Sequence, residues 1–291
     1  MEILKSPREM RTAAEGFRRR NFSLGLVPTM GYFHEGHLSL MRRARADCRR
    51  VVVSLFVNPT QFGPSEDLER YPRDFERDRE LAAAEGVDII FAPATEDMYP
   101  EGYATYVDVE RLTDGLCGAL RPGHFRGVAT VVAKLFNICR PTAAYFGQKD
   151  YQQAQVIKKL AADLDFDVEV EVLATVREAD GLAMSSRNEY LTPEERRQAT
   201  CLFRALARAQ ELFAAGETRP AKIVDELTVT ITAQPAARVD YAEVIHPQEL
   251  TPVTTVEKGA VAAVAAFVNE TRLIDNTILG EEDLRAEVST C

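Results

Sequence analysis

Apolar residues rich in β-branched side chains gather in short runs at Leu24 to Pro28, Val51 to Val57, Val87 to Phe91, Ala143 to Phe146 and Val168 to Leu173. Runs of this length, bounded by polar residues, predict buried strands. Between them apolar positions recur at helical spacing around Leu38 to Cys48, Arg73 to Ala84, Val128 to Cys139 and Tyr151 to Leu164. Strand and helix thus alternate through residues 1–175, which predicts an α/β domain built on a parallel sheet. Ligands of such sheets bind beyond the carboxyl ends of the strands, so the residues just after Pro28, Val57 and Phe146 become the candidate site.

The pattern then changes. Thr192-Pro193-Glu194-Glu195 has capping-box spacing with proline at the first helical position, and predicts a helix running to about Ala214, before Gly216. Strand-like runs at Val239 to Ile245, Ala260 to Val268 and Arg272 to Ile274, with a helix near Ala221 to Ile231, predict a small antiparallel sheet with helices. The expected organisation is therefore a first domain over 1–175 and a smaller α+β domain over 176–291. Glu281 to Cys291 reads as a polar tail, and there is no internal repeat or low-complexity tract.

Composition removes several classes of function. The 291 residues, 46% of them hydrophobic, suffice for one large core or two modest ones. No window is apolar enough for a membrane span, and Met1-Glu2-Ile3-Leu4-Lys5 lacks the order of a signal peptide, so a cytoplasmic protein is expected. A net charge of −10 opposes a general nucleic-acid footprint, which needs a basic stripe. Cys48, Cys117, Cys139, Cys201 and Cys291 are scattered and never spaced Cys-x-x-Cys, so reduced, packed thiols are expected. An anionic small substrate would have to be captured by local Arg, Lys and His.

Five segments place such groups at strand ends. Pro28-Thr29-Met30-Gly31 closes the first strand, and His34-Glu35-Gly36-His37 opens the following helix, where free N–H groups and the helix dipole attract phosphate. Its His-x-x-His spacing is one residue short of the zinc-protease pattern; a structural pair of turn histidines is the plainer alternative. Asn58-Pro59-Thr60-Gln61-Phe62 is a turn signal in which the Gln61 amide can donate to and accept from a hydroxy acid. Arg121-Pro122-Gly123-His124-Phe125-Arg126-Gly127 is a basic, glycine-bounded loop that either guards an anion or is merely solvated. In Phe146-Gly147-Gln148-Lys149-Asp150, Gly147 permits close backbone approach, Lys149 carries a point charge, and Asp150 is placed to cap the next helix, whose first turn holds Gln153. Gly181-Leu182-Ala183-Met184-Ser185-Ser186-Arg187-Asn188 is either a linker or a phosphate clamp of hydroxyls and guanidinium.

Taken in order, Pro28 to Gly31 with His34-x-Gly36-His37, Asn58-Pro59-x-Gln61-Phe62, Arg121 to Gly127, Phe146-Gly147-x-Lys149-Asp150, Met184 to Asn188 and the late Arg272-Leu273-Ile274-Asp275-Asn276 run resemble the pantothenate synthetase (pantoate–β-alanine ligase) family. Phe33 stands where that family usually has leucine. His-x-Gly-His by itself marks only the wider nucleotidyltransferase superfamily. The resemblance implies a Rossmann-like N-terminal domain, a smaller C-terminal domain that acts as a lid, a homodimer, and ATP used with Mg²⁺. It implies two steps: pantoate and ATP give pantoyl adenylate and pyrophosphate, then β-alanine displaces AMP.

Residue by residue, the family pattern puts Met30, Gly31, Tyr32, Phe33, His34, Glu35, Gly36, His37, Gly147, Gln148, Lys149, Asp150, Val176, Met184, Ser185, Ser186 and Arg187 around ATP. It puts Gln61 and Gln153 on pantoate, with Gln61 also near β-alanine, and makes His37 a proton donor. Negative charge grows on the departing pyrophosphate, which calls for the donors His34, His37, Lys149 and Arg187 as the catalytic set. Two alternatives remain at this level: a transferase that leaves AMP on its product, and an ATP-sensing module without chemistry.

Overall fold

A computed structural model describes residues 1–64 and 66–281; beyond Glu281, the polar tail and Cys291 lie outside the described residues. The chain divides into two compact units, one of residues 1–147 and 153–173, the other of residues 148–152 and from Ala174 onward. The strand-end turn that carries Lys149 is thus counted with the second unit, although in sequence it falls well inside residues 1–175.

The first unit is built on six strands, β1 (Glu2–Leu4), β2 (Leu24–Thr29), β3 (Arg50–Leu55), β4 (Ile89–Phe91), β5 (Ala143–Gly147) and β6 (Glu169–Leu173), in the order β1-β4-β3-β2-β5-β6. Every pairing among them is parallel. Helices α1 (Pro7–Arg18), α2 (Glu35–Asp47), α3 (Phe75–Ala84), α4 (Thr95–Met98), α5 (Leu116–Leu120), α6 (His124–Cys139) and α7 (Tyr151–Asp163) supply the connections. Strand order reverses between β2 and β5, which pair at Gly25 and Leu26. Pro28, which has no N–H to give, falls past that pairing while its other side still faces Ser54 of β3. A reversal point of this kind opens a crevice beyond the strand ends. Val27, Phe33, Met41, Val51, Val53, Ile90 and Tyr145 fill one side of the sheet and are wholly buried.

The second unit holds α8 (Pro193–Ala199), α9 (Cys201–Ala214) and α10 (Pro220–Thr232) with an antiparallel sheet of β7 (Ala237–Ile245), β8 (Val261–Val268) and β9 (Thr271–Ile278). The middle strand, β8, is apolar on both faces, and its core partners include Leu202, Leu206, Ile223, Leu227 and Ile231. Thr192 caps α8 with a complete capping box to Glu195 and Pro193 at the first position, as expected. The single helix expected from there to Ala214 is instead two, separated at Thr200. Helix α6 starts at His124, four residues before the continuous apolar pattern, and its first turn buries Phe125 and Gly127, alternating with the polar His124 and Arg126. Strand β9 is longer than the Arg272 to Ile274 run, since its polar Asp275, Asn276 and Thr277 are buried strand residues. Cys48, Cys117, Cys139 and Cys201 are buried thiols outside any disulfide. No described helix is long and apolar enough to cross a membrane.

Candidate active site

The turn after β2 is held open by one carboxylate. Gly31 and Tyr32 both have positive φ, 87° and 53°, so successive N–H groups point inward. Asp78 of α3, 1% exposed, accepts from the N–H of Tyr32 and of Phe33, each at 2.7 Å. A Cβ on Gly31 would lie 3.0 Å from Asp78 Oδ2, so the close approach requires glycine as much as the φ does. Burial pushes the Asp78 carboxyl up, and its two backbone hydrogen bonds only partly offset this. The Phe33 side chain is fully buried and acts as a core anchor for the turn.

His34 caps α2 from an extended backbone conformation, and its N–H donates to Nδ1 of His37 at 3.3 Å. The two rings lie 4.1 Å apart between centroids. With Nδ1 an acceptor, the neutral His37 ring carries its proton on Nε2. The amides of the first turn of α2 form an anion-attracting end. Glu35 faces along its own helix in an ion pair with Arg42, which also bonds Glu85 at 2.7 Å.

After β3 the chain makes a short 3-10 turn, Pro59–Gln61, capped by Asn58. The buried Asn58 amide donates to Gln61 Oε1 at 3.0 Å and to the Gly127 carbonyl at 3.1 Å, and accepts from Thr60 and Tyr99 hydroxyls at 2.9 Å each. Gln61 Nε2 lies 3.4 Å from Met30 Sδ, which links this turn to the one after β2. A Cβ at position 127 would sit 2.4 Å from the Thr60 carbonyl oxygen, so α6 can pack on this turn only through glycine.

The basic loop has a definite place beside this turn. His124 Nδ1 donates to the Gln61 carbonyl at 2.8 Å, while Arg121 donates to His124 Nε2 at 3.0 Å and to the same carbonyl at 3.3 Å. Arg121 is in turn clamped by Glu66 at 2.6 and 2.7 Å. Arg121 and His124 are not a merely solvated pair: they brace the backbone of Gln61. Arg126 is the exposed member, stacked over Tyr106 at 4.2 Å.

The second unit assembles the other expected residues around β9. Gln148–Asp150 is a 3-10 turn leading into α7, so Asp150 is part of that turn rather than an isolated cap. Asn276 Nδ2 donates to the carbonyls of Gln148 and Lys149, at 3.0 Å each. Lys149 Nζ lies 3.7 Å from Asp150. Asp275 receives a two-pronged pair from Arg177 at 2.7 and 3.0 Å, and Arg177 also holds the Gly181 carbonyl at 3.1 Å. That pair fixes the loop in which Met184 N–H bonds the Val176 carbonyl at 3.0 Å and Ser185 Oγ accepts from the Arg187 N–H at 3.3 Å. Adjacent residues of one strand therefore hold both the Lys149 turn and the Val176 to Arg187 loop.

Met30 to His37 and Gln61 thus come together in the first unit, and Gln148 to Asp150 with Val176, Met184, Ser185, Ser186 and Arg187 in the second. Gln153, half-buried on the first turn of α7, counts with the first unit. Sequence reasoning gave no role to Asp78, Asn58, Tyr99, Asp275 or Asn276. The last two had a legible signal, polar residues inside an apolar strand pattern; Asp78 and Tyr99 act across gaps of 46 and 41 residues, which no local pattern shows.

The pantoate-beta-alanine ligase family model matches residues 2–278. A pantothenate synthetase of Moorella thermoacetica is 57% identical over 283 residues, covering 97% of this chain and all of its own. The crystal structure of pantothenate synthetase from Thermus thermophilus superposes with a TM-score of 0.90 at 49% identity, covering 96% of this chain and 99% of its own. A pantoate-beta-alanine ligase from Francisella tularensis, complexed with beta-gamma ATP and beta-alanine, is 32% identical with a TM-score of 0.80, covering 96% of this chain and 97% of its own. With a family model that matches residues 2–278 and a relative whose match spans nearly all of both chains, the chain belongs to the pantoate–β-alanine ligase family.

Proposed function

We propose that the protein condenses pantoate with β-alanine to pantothenate, cleaving ATP to AMP and pyrophosphate through a pantoyl adenylate. The observation that carries this reading is the His34 to His37 turn, which follows β2 at the reversal point of the sheet in a chain matched by the ligase family from residue 2 to 278. A ligase relative complexed with ATP and beta-alanine supports both substrates.

In the first step the pantoate carboxylate attacks the α-phosphorus and charge passes to the departing pyrophosphate. His34, His37, Lys149 and Arg187 are the donors assigned to that charge, with His37 Nε2 the proton-bearing atom. The remaining nucleotide contacts are assigned to Met30, Gly31, Tyr32, Phe33, Glu35, Gly36, Gly147, Gln148, Asp150, Val176, Met184, Ser185 and Ser186, largely through backbone groups. Glu35 is the weakest of these, because its carboxylate is paired with Arg42. Gln61 and Gln153 are assigned to pantoate, and Gln61 also to β-alanine. In the second step the β-alanine amine attacks as the free base, since its ammonium form has no lone pair.

Mg²⁺ belongs to this reading as the companion of the triphosphate, where it neutralises phosphate charge. Among the described residues no group of three or more His, Cys, Asp or Glu side chains is arranged to hold a metal. A cytoplasmic homodimer completes the proposal. Product analysis tests it: AMP and pantothenate should appear in equal amounts only when pantoate, β-alanine and ATP are all present. An adenylylated product with no AMP would instead favour the transferase alternative.

A further inference from the structure

Asn58 fills all four hydrogen-bonding positions of its amide. One of its partners, the Gly127 carbonyl, can only accept, so the amide has a single possible orientation with Nδ2 toward Gly127. Its Oδ1 then faces the two hydroxyls, of Tyr99 and Thr60, which can both donate. The remaining Nδ2 hydrogen goes to Gln61 Oε1, which fixes the Gln61 amide as well. What Gln61 keeps for other contacts is its NH2 group, next to the thioether of Met30, a weak acceptor that a ligand oxygen readily replaces.

We propose that Tyr99 is a positioning residue for the ligase reaction, acting through Asn58 to hold Gln61 as a hydrogen-bond donor toward the carboxylate or hydroxyl oxygens of the hydroxy acid. The inference rests on the assignment of Gln61 to pantoate. A glutamine free to turn over would offer its carbonyl oxygen to a carboxylate as readily as its NH2, and the former repels. Tyr99 is well placed for this task because it sits just after α4, with its ring against Phe56 and Tyr103 at centroid distances of 6.2 and 5.0 Å. Burial pushes its hydroxyl up to about 12, so it stays a proton donor throughout the neutral range.

Tyr99→Phe removes the hydroxyl and keeps the ring packing. The expected result is a KM for pantoate raised about tenfold, the loss of one well-formed hydrogen bond, with the KM for ATP unchanged. In the Gln61→Ala background the same substitution should add nothing further. The proposal is overturned if Gln61→Ala raises the pantoate KM and Tyr99→Phe does not, or if Tyr99→Phe raises the pantoate and ATP KM values together. Gln61→Ala that leaves the pantoate KM unchanged removes the assignment of Gln61, and the proposal with it, a distinguishable result. Should Tyr99→Phe fail to fold, Thr60→Val removes the other donor on the same oxygen and should give the same selective rise in pantoate KM; a KM equal to that of the parent enzyme would overturn the relay.

Discussion

The backbone N–H of His34 donates to Nδ1 of His37 across 3.3 Å, so the start of helix α2 selects the ring nitrogen that carries His37's proton. The bond also holds the ring against His34, centroid to centroid at 4.1 Å, at the N-terminal end of the helix, where anions are favoured. If His37 Nε2 gives its hydrogen bond to the developing charge of adenylation, His37→Ala should lower the single-turnover rate of AMP formation about 10²- to 10³-fold. The thermal unfolding midpoint should move little, since the ring contributes no core packing comparable to Phe33. A rate loss below about tenfold would remove His37 from the chemistry.

Asp78 is the support of the turn that presents those histidines. Asp78→Ala leaves the N–H groups of Tyr32 and Phe33 without their acceptor and should destabilise the protein by about 2 kcal/mol in urea unfolding. Asp78→Asn retains one acceptor oxygen and should fall between the two. The KM for ATP should rise in the same order. Equal unfolding midpoints for all three proteins would show that the turn holds its shape by itself.

The Arg177–Asp275 pair separates stability from positioning in the second unit. Both side chains are 1% exposed, and Asp275→Ala, which leaves a buried guanidinium unpaired, should cost about 3 to 5 kcal/mol. Replacing both, Arg177→Met with Asp275→Leu, should recover most of that stability, because two apolar groups need no partners. The KM for ATP should be raised in the double variant, since Arg177→Met takes from the carbonyl of Gly181 its hydrogen bond. Full recovery of both would reduce the pair to a packing device.

Acid should loosen the brace behind Gln61. Burial raises the Glu66 carboxyl, but its hydrogen bonds and charge pairing with Arg121 more than reverse this, leaving it below the ordinary value of 4.5. Folding therefore favours the ionised form: the contribution is complete above 4.5 and is lost as pH falls through the lower folded value. Between about pH 7 and pH 3, the urea midpoint should fall further in the parent protein than in Glu66→Gln. Identical falls would mean that the pair carries no pH-dependent stability.

The sheet was readable in the sequence because buried parallel strands are continuous apolar runs, as at Val51 to Val53. Helix α1 was equally readable and was missed: Ser6 and Glu9 form a capping box with Pro7 at the first position. Strand β1, three residues long, is too short to display any period. The resemblance named His37, Gln61, Lys149 and Arg187, all beside motif glycines or turns. It gave no role to the residues that aim them. Asp78 and Tyr99 bond partners 46 and 41 residues away, so the reason each is polar exists only in the folded first unit, whereas Asn276 stands in a motif whose task shows only once it bonds the Gln148 and Lys149 carbonyls.

The most direct test is pantoate-dependent exchange of labelled pyrophosphate into ATP, run with β-alanine absent. Exchange should require pantoate, be lost in His37→Ala, and give way to AMP release when β-alanine is added. Absence of exchange in an enzyme that still makes pantothenate would contradict a reversibly formed pantoyl adenylate, and with it the role of the His34 to His37 turn in adenylation.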